Sequence, residues 1–183
     1  MQFEETPLKG CYVIHTTPFK DHRGAFARFF CERELKQVIG NRKIVNVNFS
    51  RTVKKGSIRG LHFQRVPDAE MKFVRCIKGS VFDVAVDLRK ESPTYLHWYG
   101  IELSAENMDM FAIPEGFAHG FQALDDDAEI IYLVTSFYSP RCEGGLNYAD
   151  PRIGIRWPLP ITDVSEKDLH YPYLHDEPIV LYH

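Results

Sequence analysis

Ser57-Ile58-Arg59-Gly60-Leu61-His62-Phe63-Gln64 sets a cation, an imidazole and an amide into what is otherwise a strand-forming run. Successive side chains of an extended segment point to opposite faces. The pattern therefore predicts Ile58, Gly60, His62 and Gln64 on one face and Arg59, Leu61 and Phe63 on the other. If the His62 face lines a barrel interior, the ring must be hydrogen-bonded or used, because burial disfavours the imidazolium. The residues alone leave two readings open, a core histidine satisfied by a neighbour or a chemically active one. A second stretch, Pro114-Glu115-Gly116-Phe117-Ala118-His119-Gly120-Phe121, places His119 among small residues that let a backbone come close to something.

The flanking sequence is a succession of short strands. Upstream, residues 1–15 alternate into a strand at Cys11–His15, Asp21-His22-Arg23-Gly24 is a turn, and Ala25–Phe30 resumes a strand. Glu32–Ile39 is helical and stops at Gly40; Ile44–Ser50 alternates again, and Lys54-Lys55-Gly56 turns the chain into the His62 strand. Downstream come Lys72–Ile77, Val81–Leu88, Tyr95–Leu103, Asp109–Ile113, Gly116–Leu124, Ala128–Tyr138 and Gly154–Trp157, separated by turn residues. Many short strands with 13% aromatic residues predict a mostly β fold, a double-stranded jelly-roll, cupin-like barrel with short helices towards its ends. No linker divides the 183 residues, so residues 1–183 are expected to form one domain.

Composition narrows the partners. A formal net charge of -3 carries no basic footprint for nucleic acid or a membrane surface. No apolar window is long enough for a membrane helix, and the first residues lack the layout of a signal peptide, so the expected location is the cytoplasm. Cys11, Cys31, Cys76 and Cys142 are scattered without the paired spacing of zinc or redox motifs. The eight histidines supply no closely spaced pair with a carboxylate, so neither a metal nor another cofactor is expected.

Arg59-Gly60-Leu61-His62-Phe63-Gln64, Asp83-Val84-Ala85-Val86-Asp87-Leu88-Arg89, Ile113–Phe121 and Ser165-Glu166-Lys167-Asp168, with Asp21-His22-Arg23-Gly24 ahead of them, resemble the dTDP-4-dehydrorhamnose 3,5-epimerases over nearly the whole chain. The resemblance implies a cofactor-independent isomerase acting on a nucleoside-diphosphate 4-keto-6-deoxyhexose, in the biosynthesis of surface or natural-product deoxysugars. It gives His62 as base with Asp168 as partner, Lys72 for the enolate oxygen and Tyr132 as acid. Those roles match general chemistry: a base near working pH, a fixed cation for developing charge, and a desolvated phenol to return a proton. Each residue also has a plainer reading. Lys72 could snorkel at a barrel rim, Tyr132 could be core, and Ser165–Asp168 could be a helix cap.

For binding, the resemblance implies Arg23 and Arg59 at the diphosphate, where planar guanidinium groups bond phosphate in pairs. It implies Tyr138 stacked on the base, His119, Glu143 and Lys167 on the substrate, and Asp83 near the catalytic histidine. The chain departs from the family at three places. Arg28 stands where the family has a glutamate, Asn46-Val47-Asn48 replaces Gln-Asp-Asn at the nucleotide, and Glu70 replaces a glutamine. A guanidinium only donates where a carboxylate accepts, so Arg28 predicts weakened discrimination for dTDP. CDP- or GDP-linked sugars, epimerisation at a single carbon, and a non-catalytic sugar-nucleotide binder are the alternatives. A homodimer is expected, because exposed sheet edges need pairing and Cys11–His15 is placed to meet a partner's sheet. The resemblance further implies that residues near Arg23 and Arg28 reach into the neighbouring subunit's site.

Overall fold

The computed structural model describes residues 1–174 and Leu181. Along these residues the chain forms β1 (Gln2–Glu5), β2 (Tyr12–His15), β3 (Phe19–Asp21), β4 (Gly24–Phe26), α1 (Glu32–Ile39), β5 (Asn46–Thr52) and β6 (Ser57–Gln64). It continues with β7 (Lys72–Lys78), β8 (Ser80–Asp87), β9 (Trp98–Ser104), β10 (Met110–Ile113), β11 (Phe117–Ala123) and β12 (Ala128–Val134). Three short elements follow: β13 (Glu143–Gly145), β14 (Asp163–Val164) and α2 (Glu166–Leu169).

Two large sheets face each other as in a jelly roll. The first runs β1-β2-β10-β7-β12-β5; the second runs β13-β6-β11-β8-β9, with β14 added in parallel to β6. Their inner faces meet in a core to which β7, β10 and β12 give Val74, Phe111 and Ile130 while β8 and β11 give Val81, Ala85 and Phe121. Each outer face is covered in part. Leu35 and Ile39 of α1 pack on Phe73, Met110 and Leu133 of the first sheet, and Leu146 and Ile153 pack on Leu61, Val84 and Val86 of the second. Central strands buried on both faces read as continuous apolar runs, which is why β10 and β11 show no polar alternation.

The mostly β barrel matches the expected class, and α1 has the expected bounds, with Gly40 beyond it at φ 64°. Several boundaries need correction. Gly154–Trp157 is not a strand; Trp157 instead donates from its indole to the Tyr148 carbonyl and packs edge-on against Phe82. The strand expected over Ala25–Phe30 ends at Phe26, the one over Ala128–Tyr138 ends at Val134, and the one from Tyr95 starts at Trp98, after Leu96 at φ 63°. Cys11–His15 does not supply a sheet edge, because β2 is flanked by β1 and β10; the edges are β1 and β5. β3 and β4 pair only with each other in a separate ribbon, all of whose residues are exposed.

Candidate active site

β6 carries a β-bulge that rearranges the faces expected from simple alternation. His119 of β11 lies opposite His62 and Phe121 lies opposite Arg59, so Gly60 and Leu61 together face the single residue Gly120. One extra residue reverses the alternation on one side of it. Arg59 therefore borders the same cavity as His62, whereas Leu61 and Phe63 pack into the outer core. Glycine is needed at the bulge. Gly60 has φ 112°, and a Cβ there would lie 2.7 Å from both the Gly120 Cα and the His119 carbonyl oxygen.

The bulge also exposes the Gly60 amide to the carboxylate that orients His62. Asp168 Oδ1 lies 2.7 Å from His62 Nε2, and Asp168 Oδ2 accepts from the Gly60 amide at 2.9 Å. Asp168 is set there by α2, whose N-cap Ser165 accepts the Asp168 amide at 3.1 Å through its hydroxyl. The stretch is thus a capped turn, as its plainer reading had it, and the same turn sets Asp168 against His62. Burial by itself raises the Asp168 carboxyl, but hydrogen bonds with His62, the Gly60 amide and Ser165 outweigh it and hold the group below its ordinary value. An ionised Asp168 fixes the proton on Nε2 and leaves Nδ1 as the basic nitrogen. The edge of the Tyr171 ring system restrains the imidazole, with centroids 5.7 Å apart at 64°. Tyr171 fits because position 145 is glycine; a Cβ there would come within 2.3 Å of the phenol ring.

Across the barrel, Lys72 of β7 and Tyr132 of β12 project from the first sheet. Lys72 shares the inward face with Val74 and Cys76, as alternation predicts, while Phe73 points out against α1. Its ammonium lies 3.2 Å from Glu70. The Tyr132 phenol is pushed above its ordinary value by burial and by the Glu70 charge, against the opposing influence of Arg59. His62, Lys72 and Tyr132 border two adjoining cavities, one of about 450 Å³ and one of about 300 Å³, within the range of small-molecule sites.

Most of the sequence-predicted residues gather on these cavities. Arg59, His119, Lys167 and Asp168 line the larger; Asn46, Asn48, Tyr138 and Glu143 line the smaller. Arg59 is braced by β5, donating to the Thr52 hydroxyl and the Arg51 carbonyl at 2.9 Å each. His119 is held by Asp83 at 2.9 Å, a second histidine–carboxylate pair on the same wall. Lys167 donates to Glu143 at 2.5 Å and the Tyr138 hydroxyl donates to Glu143 at 3.2 Å, so the two cavities are joined by one polar clasp. Burial raises the Glu143 carboxyl, but Lys167 and Tyr138 more than offset it and leave it below its ordinary value.

Arg23 and Arg28 lie elsewhere. Arg23 sits on the β3–β4 ribbon paired with Asp21, and Arg28 pairs with Glu34 of α1 at 2.7 Å; neither lines the two cavities within one chain. Two residues that border the site or its histidine were not assigned a role from sequence. Glu70 sits two positions before Lys72, a spacing that puts both on one face of an extended segment, and Tyr171 follows Asp168 by three residues. Among the described residues no three His, Cys, Asp or Glu side chains cluster so as to hold a metal ion.

Comparison with known proteins gives the family. The family model described as dTDP-4-dehydrorhamnose 3,5-epimerase matches residues 5–176. The dTDP-4-dehydrorhamnose 3,5-epimerase of Salmonella typhimurium is 44% identical over 172 residues, which span 93% of each chain. The crystal structure of the enzyme of that name from Elizabethkingia anophelis superposes with a TM-score of 0.91 at 40% identity, covering 98% of this chain and 99% of that one. The Legionella pneumophila dTDP-6-deoxy-D-glucose-3,5-epimerase, solved with dTDP-4-keto-L-rhamnose, gives 0.89 at 38% identity over 94% and 92% of the two chains. Matched by the family model over residues 5–176 and by relatives and structures across more than nine-tenths of its length, the chain belongs to the dTDP-4-dehydrorhamnose 3,5-epimerase family.

Proposed function

We propose that this chain inverts C3 and C5 of a dTDP-4-keto-6-deoxyhexose in deoxysugar biosynthesis, using His62 as base and Tyr132 as acid. The observation that carries the reading is the placement of these groups on opposite walls. The His62–Asp168 pair stands on the second sheet, and Lys72 and Tyr132 stand on the first, around shared cavities. Inversion needs that arrangement, because the proton must leave one face of the sugar ring and return to the other.

In this mechanism Nδ1 of His62 takes the proton from a carbon next to the ketone, and Asp168 stabilises the resulting imidazolium through Nε2. The electron pair moves onto the ketone oxygen, where the nearly buried Lys72 ammonium balances the enolate charge. Tyr132 then gives its phenolic proton to the same carbon from the far side. Proton exchange with solvent restores histidine and tyrosine, and the sequence repeats at the second carbon. Arg59 and Lys167 neutralise the diphosphate, while Tyr138 stacks on the base above Asn46 and Asn48.

The thymidine nucleotide rests on the names of the relatives and on this binding set. Within one chain Arg28 is engaged by Glu34, so the test of base recognition is direct competition among nucleotides. The functional unit in this reading is a homodimer. The β3–β4 ribbon exposes Phe19 and Phe26, and an apolar groove beside α1 is lined by Phe30, Val47 and Ile131. Such surfaces call for a partner copy, which would also bring Arg23 and Arg28 to the neighbouring cavity.

Turnover in deuterium oxide tests the chemistry. The wild-type chain should place deuterium at C3 and C5 with inversion, and His62→Ala should place none. Tyr132→Phe should still exchange, because its base is intact, but should invert far more slowly. Label at one carbon only would convert the reading to a single-carbon epimerase, and label at neither would reject it.

A further inference from the structure

Glu70 lines the smaller cavity beside Lys72, which borders both cavities, and has no part in the mechanism above. Its side chain is 13% exposed, and its carboxylate is 3.2 Å from the Lys72 ammonium. It is held there by the backbone next to it. The Met71 amide donates to the Thr135 hydroxyl at 2.9 Å, and the Thr135 amide donates back to the Met71 carbonyl at 3.2 Å. The segment before β7 is thus tied to the end of β12, the strand that carries Tyr132.

We propose that Glu70 is a positioning residue that aims the Lys72 ammonium at the substrate oxygen and sets a negative charge on the cavity wall it shares with Tyr132. The proposal deepens the epimerase reading and rests on it for the identity of the reaction. Its physical basis is pairing at low exposure. Lys72 is 11% exposed on the same measure, and an ammonium so placed needs a counter-charge and a fixed direction. The same negative charge, bordering the smaller cavity with Tyr132, opposes formation of a phenolate there.

The charges around Tyr132 make Glu70 the carboxylate placed to do this. Arg59 and His62 on β6, Lys72 on β7 and His119 on β11 are cationic or can become so. Asp168 is engaged by His62 and Gly60, Glu143 by Lys167, Asp83 by His119, and Asp163 is exposed. Burial is the first cause that raises the Tyr132 phenol and Glu70 is the second, with Arg59 opposing. Removing the Glu70 charge should lower the phenol part of the way back.

Two variants separate aim from charge. Glu70→Gln keeps an oxygen that accepts from Lys72 but removes the charge; Glu70→Ala removes both. NMR of isotope-labelled tyrosine, with Tyr132 assigned by its loss in Tyr132→Phe, reads the phenol without turnover. We expect Tyr132 to titrate at lower pH in both variants than in the wild-type chain, and the alkaline limb of kcat to move with it. We further expect Glu70→Ala to lower kcat by about tenfold with KM within about twofold, and Glu70→Gln to recover part of that loss. An unmoved Tyr132 midpoint in folded variants would overturn the proposal, as would an alkaline limb that stays in place. Absence of any epimerase turnover by the wild-type chain would defeat the reading of the reaction, while the NMR titration would still decide whether Glu70 holds the phenol.

Discussion

Asp168 combines two tasks in one carboxylate, accepting from His62 with one oxygen and from the Gly60 amide with the other. Asp168→Asn keeps the shape but offers an amide nitrogen to one of those donors, so it should lower kcat by about 10²-fold while binding is retained. The pH dependence follows from the sign of the shift. The folded carboxyl lies below its ordinary value, so its contribution to stability is fully present above the unfolded aspartate value, roughly pH 4, and disappears as pH falls through the folded value. Denaturant unfolding of the wild-type chain and Asp168→Asn should show a stability gap that closes as pH falls below about 4. A gap that widened in acid would contradict the assigned sign. Of the four residues proposed to act on the substrate, His62 and Asp168 were legible because they sit inside the quoted motifs, while Lys72 and Tyr132 rested on the family resemblance. Tyr171 was not legible, since an edge contact with His62 arises only when the segment after α2 returns to β6.

α2 is a single turn, yet it sets the position of the Asp168 carboxylate through the Ser165 cap. Ser165→Ala should destabilise the chain by about 1 kcal/mol and reduce kcat through the loosened Asp168 rather than through substrate affinity. Thermal unfolding and a kcat against KM comparison would check both. Gly60→Ala is the harsher change, because its Cβ meets backbone on β11 and its φ of 112° is unfavourable for any side chain. A loss of roughly 1–3 kcal/mol or more is expected, with β6 pushed off β11 and activity falling as His62 moves. Alternation along β7 puts Lys72 and Phe73 on opposite faces, and the structure gives Phe73 to the packing under α1. The same rule misassigned Arg59, since a bulge reverses phase without altering composition. Gly154–Trp157 shows the opposite failure. Its apolar residues mimic a strand, but they cover Phe82 and the outer core from a loop.

At the scale of the molecule, the ribbon and one apolar groove have no partner among the described residues. Phe19 is 79% exposed and Phe26 is 68% exposed on strands that pair only with each other. Sedimentation should therefore give the mass of a dimer, and deletion of the ribbon should give a monomer with weakened nucleotide binding; a monomeric wild-type chain with full activity would contradict this. Affinities for dTDP, CDP, GDP and UDP, measured with the wild-type chain and Arg28→Glu, would show whether residue 28 takes part in base recognition. The barrel as a class was readable from strand spacing, whereas the pairing order was not, because β10, β7 and β12 come together across long stretches of sequence. The central claim is that His62 and Tyr132 act from opposite walls on one sugar. Its most direct test follows deuterium at C3 and C5 of dTDP-4-keto-6-deoxyglucose in the wild-type chain, His62→Ala and Tyr132→Phe. The account predicts exchange with inversion at both carbons, no exchange, and exchange with retained configuration, respectively; deuterium appearing at the wild-type rate in His62→Ala would contradict it.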